Sequence, residues 1–168
     1  MKSIYKYTLL VFLLAPISVL AQVERTKEIN KSYTVSNDGS LSIDNKYGDV
    51  HIETWDQNRV EVEIIVKAIK SSASKAEEYL DKVEIDISDD NKNDLSFKTM
   101  ISGNINNQNQ ERLEIDYNVK APTSFNTNLK NSYGNLYMDN STGDADIKVA
   151  YGNLKADDLT GEVYLKVS

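Results

Sequence analysis

Apolar and polar residues alternate through the last third of the chain. Leu136 and Met138, then Ala145, Ile147 and Val149, then Leu154 and Ala156, then Val163, Leu165 and Val167 take every second position between short polar gaps. A period of two marks strands with one face on a core and the other in water. Glycine punctuates the gaps at Gly134, Gly143, Gly152 and Gly161, nine residues apart each time. A fixed period of this kind predicts a repeat array. A run of plain hairpins with glycine turns is the alternative.

The fuller unit is eighteen residues. Ser132-Tyr133-Gly134-Asn135-Leu136 matches Ala150-Tyr151-Gly152-Asn153-Leu154, and Ser141-Thr142-Gly143-Asp144 matches Leu159-Thr160-Gly161-Glu162. Tyr-Gly and Thr-Gly corners therefore take turns, two strands and two corners to a coil. Such coils stack with residue i over residue i+18, setting Leu136 on Leu154, Ile147 on Leu165 and Tyr133 on Tyr151. A single coil cannot bury its own apolar face, so stacking must supply the core. The fold class expected is mainly β, a flattened β-solenoid preceded by a sheet region with one short helix. Glycine at each corner is expected to supply positive φ.

The same pattern appears upstream in miniature. Gly39 and Gly48 are again nine apart, and Tyr47-Gly48-Asp49-Val50 parallels Tyr133-Gly134-Asn135-Leu136. The structural corner residues are thus Gly39, Gly48, Gly134, Gly143, Gly152 and Gly161 with Tyr47, Tyr133 and Tyr151, the tyrosines forming a ladder. Arg59 to Ile69 is a longer strand. Val60, Val62, Ile64, Val66 and Ala68 face one way, while Ile65 and Ile69 make the other face partly apolar. Ser74-Lys75-Ala76-Glu77 has the form of a capping box. With Ala76, Tyr79, Leu80 and Val83 at helical spacing, it predicts a helix over about 74–82, laid on the Ile65 and Ile69 face. Strands follow through Val83 to Ile87, Leu95 to Ile101 and Leu113 to Ala121, with a turn at Asp89 to Asp94 and a polar loop from Asn104 to Gln110. Pro122 closes the last of these, since proline cannot donate to a ladder. The expected divisions are 1–21, a lead-in at 22–32, a sheet region at 33–121 and repeats at 122–168.

Residues 1–21 read as a secretory signal. Lys2 and Lys6 precede an apolar core, and Val19 and Ala21 suit cleavage before Gln22. The apolar run is too short, and Pro16 too disruptive, for a spanning helix. Export agrees with the charge. The chain of 168 residues carries a formal −7, and losing Lys2 and Lys6 makes it −9. An acidic surface opposes nucleic acid as a partner. With no cysteine, disulfides, thiolate metal sites and cysteine lipidation are excluded.

Candidate chemistry is sparse. His51 is the sole histidine, on an outward position beside Val50 and Ile52. It has no cysteine or second histidine for a familiar zinc site, and no Gly-x-Ser-x-Gly elbow accompanies it. Asp89-x-Asn91-x-Asn93 starts like a calcium loop, but Asp94 and Met100 stand where glycine and glutamate are required. In the stacked arrangement Asp144 lies on Glu162 and Asp139 on Asp157, a ladder of acids that a hard cation could bridge or that lysines and water could screen. No catalytic, cofactor or metal residues are assigned. Tyr137 and Tyr164 point outward and are candidate contacts for a glycan or protein partner.

These features together resemble the bacterial adhesin-type β-strand-repeat family of exported envelope proteins. The likeness is carried by Tyr47-Gly48-Asp49-Val50-His51-Ile52, the valine-rich strand, the single helix and the Tyr-Gly-Asn-Leu and Thr-Gly-Asp corners, and it covers Tyr33 to Ser168. It implies an exported, non-enzymatic solenoid. The expected function is a cell-envelope or surface protein with adhesin-like repeats. Alternatives are a periplasmic structural or signalling accessory and, more distantly, a carbohydrate-active enzyme on a solenoid. No polar capping repeat follows the last strand, so either the array continues beyond Ser168 or its edge is open for self-association.

Overall fold

A computed structural model describes residues 22–89, 93–105 and 111–168. The segment read as a secretory signal, the tip of the calcium-loop lookalike and most of the polar loop lie outside these residues.

Among the described residues, twelve strands and one helix follow in order: β1 (Val23–Thr34), β2 (Ser40–Lys46), β3 (Val50–Trp55), β4 (Arg59–Lys70), α1 (Ala73–Asp81), β5 (Val83–Ser88), β6 (Asp94–Ile101), β7 (Arg112–Pro122), β8 (Asn126–Ser132), β9 (Leu136–Met138), β10 (Ala145–Ala150), β11 (Leu154–Ala156) and β12 (Val163–Val167). They form two six-stranded mixed sheets, one ordered β1-β4-β7-β3-β9-β11 and the other β12-β10-β8-β2-β6-β5. Antiparallel pairing is confined to β1-β4-β7 and β5-β6, and all other neighbours are parallel. One buried cluster draws on both sheets, with Leu41, Ile43, Leu95, Phe97, Leu129 and Ile147 from one and Val50, Ile64, Ile115, Tyr117 and Leu136 from the other.

The late strands pair at the eighteen-residue offset. Leu136 faces Leu154, Ile147 faces Leu165 and Val149 faces Val167, all in parallel register. Parallel neighbours need a crossover, which excludes the hairpin alternative for this region.

The division at Pro122 does not part the sheets. Strand β3 sits between β7 and β9, and β2 between β6 and β8. The early Tyr-Gly leg is thus inserted between the long strands and the late repeats. Its alternation and corner match theirs, so it completes the same two hydrogen-bonded surfaces.

Three local expectations are corrected. Residues 22–32 are no loose lead-in, because β1 pairs antiparallel with β4 along its whole length. Its composition is polar because β1 is an edge strand, and only Val23, Ile29 and Tyr33 are even half-buried. Helix α1 is capped by Ser72, whose side chain accepts the Lys75 N–H, and not by Ser74. The helix also lies on the opposite face of β4 from the one expected. Lys70, in the buried row with Val66 and Ala68, sets its ammonium 3.6 Å from the Tyr79 ring centroid. Arg25, paired with Ala68, reaches Glu77 at 3.6 Å. The helix therefore extends the main core with Ala76, and Ile65 and Ile69 stay half-buried on the outer face beside charged neighbours.

Candidate functional site

The Tyr-Gly corners are built alike. Tyr47, Tyr133 and Tyr151 hold left-handed backbone at φ 64, 62 and 56. The corner glycines do not, which corrects the expectation that they supply the positive φ. Glycine is needed there for closeness. A Cβ on Gly134 would overlap the Gly48 carbonyl, and one on Gly152 the Gly134 carbonyl. Rungs one strand spacing apart leave no room for a methyl between their backbones. The tyrosine rings stack outside, Tyr47 on Tyr133 at 5.3 Å and Tyr133 on Tyr151 at 4.9 Å. None of the three rings reaches the depression described below.

Inside the corner runs a buried polar chain that the strand pattern concealed. The Thr99 hydroxyl donates to Asn45 Oδ1 at 3.0 Å and accepts from the Tyr117 hydroxyl at 2.9 Å. Asn45 Nδ2 donates to the Ile115 carbonyl at 2.8 Å and to Asn131 Oδ1 at 3.2 Å. Asn131 Nδ2 in turn donates to the carbonyls of Gly48 and Asn135, both at 2.9 Å. Asn45 and Asn131 each stand two residues before a Tyr-Gly pair, a match in sequence that marks them. Burial pushes the Tyr117 hydroxyl up to about 12.

A second ladder uses the residue after each glycine. Asp116 accepts the Asp49 N–H, Asp49 accepts the Asn135 N–H and Asn135 Oδ1 accepts the Asn153 N–H, at 2.7–3.1 Å. Burial raises the Asp116 carboxyl above its ordinary range. At the Thr-Gly corners Asn126 accepts the Asp144 N–H and Asp144 accepts the Glu162 N–H, each at 2.9 Å. Asp49, Asp116 and Asp144 are therefore backbone caps between rungs. Among the described residues, no three histidine, cysteine, aspartate or glutamate side chains are grouped to hold a metal ion.

The two outward tyrosines are not brought together. Tyr164 lies on β12, on the outer face of one sheet, with the Lys148 ammonium 5.3 Å from its ring centre. Tyr137 lies on the outer face of the other sheet, where its ring stacks on His51 at 4.5 Å and 16° from parallel. This pair walls a depression of about 870 Å³ that crosses β9, β3, β7, β4 and β1. Parallel and antiparallel registers align two polar rows across it. One runs Tyr137, His51, Asn118, Glu63, Asn30 and the other Asp139, Glu53, Lys120, Glu61, Ser32. Asn118 donates to Glu63 at 2.9 Å, and Lys120 pairs with Glu53 at 3.2 Å. The chain's one tryptophan, Trp55, borders the second row, with Lys120 5.7 Å from its ring centre. His51 is exposed, as its alternation implied, but sequence gave no sign that β1 and β4 would extend the row beside it.

No protein-family model and no curated protein matches this sequence. Several solved structures are similar in chain path. A putative cell adhesion protein from Clostridium sporogenes is 19% identical, with 85% of this chain and 68% of that one covered at a TM-score of 0.48. A putative adhesin from Bacteroides fragilis is 16% identical over 84% and 58% of the two chains, at 0.41. A putative lipid binding protein from Parabacteroides distasonis is 10% identical over 86% and 59%, at 0.36. The chain spans between half and about two thirds of these proteins' lengths.

Proposed function

We propose that the chain is a non-catalytic, exported envelope or surface protein whose strands stack as a flattened, adhesin-like solenoid. The observation that carries this reading is the unbroken Tyr47-Tyr133-Tyr151 ladder over in-register parallel strands. It describes a stiff β-surface rather than a hinged cleft. Export rests on the signal-like residues 1–21 and on the acidic composition. The absence of a catalytic role rests on the lone histidine, whose ring is taken up in a stack with Tyr137. Among the described residues, no helix is long and apolar enough to cross a membrane. Protease shaving of intact cells tests the surface assignment. Release of fragments supports it, and complete protection favours a periplasmic accessory instead.

Self-association through the β12 edge belongs to the same reading. Val163, Leu165 and Val167 are 37–54% exposed there, although their partners on β10 are buried. Sedimentation velocity across a concentration series tests it, and a constant monomer would remove it.

A further inference from the structure

The geometry points to the depression beside His51 and Tyr137 as a binding site for an uncharged glycan chain. This deepens the surface-protein reading and rests on it for its biological setting.

The lining selects the ligand. A pyranose presents an apolar C–H face and a rim of hydroxyls that both donate and accept. The upright His51-Tyr137 stack supplies an aromatic wall, with the exposed His51 ring on the Asn118 side. The two rows supply amides at Asn30 and Asn118, a hydroxyl at Ser32, carboxylates at Glu53, Glu61 and Glu63, and an ammonium at Lys120. Mixed donors and acceptors spaced by strand separation, ~4.8 Å, suit successive hydroxyl-bearing rings along a chain. The trough runs across five strands and is shallow, which fits a polymer lying along it better than an enclosed small molecule.

Other occupants fit less well. The central strands β4, β7 and β3 are hydrogen-bonded on both sides, so a peptide cannot add to the sheet along the floor of the trough and would have only the β1 edge at its end. Glu53, Glu61, Glu63 and Asp139 outnumber Lys31 and Lys120, which opposes uronates, sulfated glycans and nucleic acid. Apart from the His51-Tyr137 stack, the outward rows that line the trough are polar or charged, which gives a lipid chain little to seat on.

The test is titration of the purified chain, with the intrinsic fluorescence of Trp55 as the readout. The probes are hexamers of β-1,4-glucose, β-1,3-glucose, mannose and N-acetylglucosamine, beside a uronate hexamer, a sulfated hexamer and a lysine-rich peptide. We expect at least one uncharged hexamer to bind, with a rise in Kd of tenfold or more in His51→Ala and in Tyr137→Ala and no change in Tyr164→Ala. Asn118→Ala and Lys120→Ala, on a different strand, should weaken binding without altering the thermal midpoint. Failure of every uncharged hexamer, binding that ignores these substitutions, or preference for an anionic probe or the peptide would overturn the site. Binding of the wild-type chain to intact cells, compared with the His51→Ala variant, separates the two readings. Equal cell binding by both leaves the surface role standing and removes the groove from it.

Discussion

Tyr133 lies flat against Tyr151, with ring centres 4.9 Å apart and planes 8° from parallel, and both residues hold left-handed backbone. A bulky side chain in that conformation costs ~1–2 kcal/mol. Each aromatic stack returns ~0.5–1.5 kcal/mol. The ladder holds two stacks, worth ~1–3 kcal/mol together, against three left-handed residues that cost ~3–6 kcal/mol, so the stacks offset only part of the strain. What it adds is register, because a one-residue slip would break every stack at once.

Replacing Tyr133 separates the two effects. Tyr133→Ala loses both stacks and keeps the strained backbone. Tyr133→Gly loses the same stacks and relieves the strain, at some cost in chain entropy. The glycine variant should be the more stable of the two by about 1 kcal/mol in urea unfolding, although alanine is the better residue in ordinary strands. Equal stability, or the reverse order, would show that the left-handed backbone carries no strain.

Gly134 is constrained by its neighbour and not by φ. A methyl there meets the backbone carbonyl of Gly48, which cannot swing aside as a side chain could. Gly134→Ala should cost about 3 kcal/mol, the upper end of overpacking. Gly103→Ala, at φ 73 but with open space around it, should cost about 1–2 kcal/mol from conformation alone. Denaturant midpoints at unchanged slope measure both. A Gly134→Ala variant no weaker than Gly103→Ala would refute the close approach.

The strands that could be read from the sequence are those whose inward positions are aliphatic, such as Val60 to Ala68 or Ala145 to Val149. Strand β8 is not legible in the alternation because its inward residues are Thr127, Leu129 and Asn131, and only one of the three is apolar. Asn45 hid in the same way behind Leu41 and Ile43. Both asparagines are tolerated inside because their own side-chain amides are hydrogen-bonded along the chain from Tyr117 to Gly48. The spacing places the helix near its true range but on the wrong face. Spacing shows that Ala76 and Tyr79 share a side, whereas which sheet face receives them depends on Lys70 and Arg25. Of the groove, alternation gave the outward direction of His51 and Tyr137. Their rings meet because β3 pairs with β9 across more than eighty residues of sequence, which no local pattern records.

Ile147 and Leu165 occupy adjacent rungs of one column, yet Ile147 is wholly buried and Leu165 is 50% exposed. Truncation should therefore separate them. Ile147→Ala should cost about 2–5 kcal/mol as a core cavity. Leu165→Ala should cost less than about 1 kcal/mol, since half its surface already meets water. Urea unfolding of the two variants at low protein concentration checks this. Comparable losses would mean that the β12 face is covered in solution.

Tyr117 gives the fold an alkaline limit. Its hydroxyl is buried against Thr99, and its ionisation is pushed up to about 12 chiefly by that burial. Below pH ~10 the tyrosine is protonated in both folded and unfolded chains, and its burial carries no pH dependence. Between about 10 and 12 the unfolded chain releases the proton while the folded chain keeps it. Stability then falls with rising pH by up to ~1.4 kcal/mol per unit, about 3 kcal/mol across the window. Tyr33, also raised to about 12 and also chiefly by burial, adds a smaller slope because its surroundings are half-open. Tyr117→Phe should lower stability at pH 7 by about 1 kcal/mol through the lost hydrogen bond, and should flatten the fall between pH 10 and 12 to the part due to Tyr33. Chemical unfolding of both proteins across pH 8 to 12 reads the two effects separately. An unchanged alkaline slope in Tyr117→Phe would show that Tyr117 ionises as freely in the folded chain as in the unfolded one.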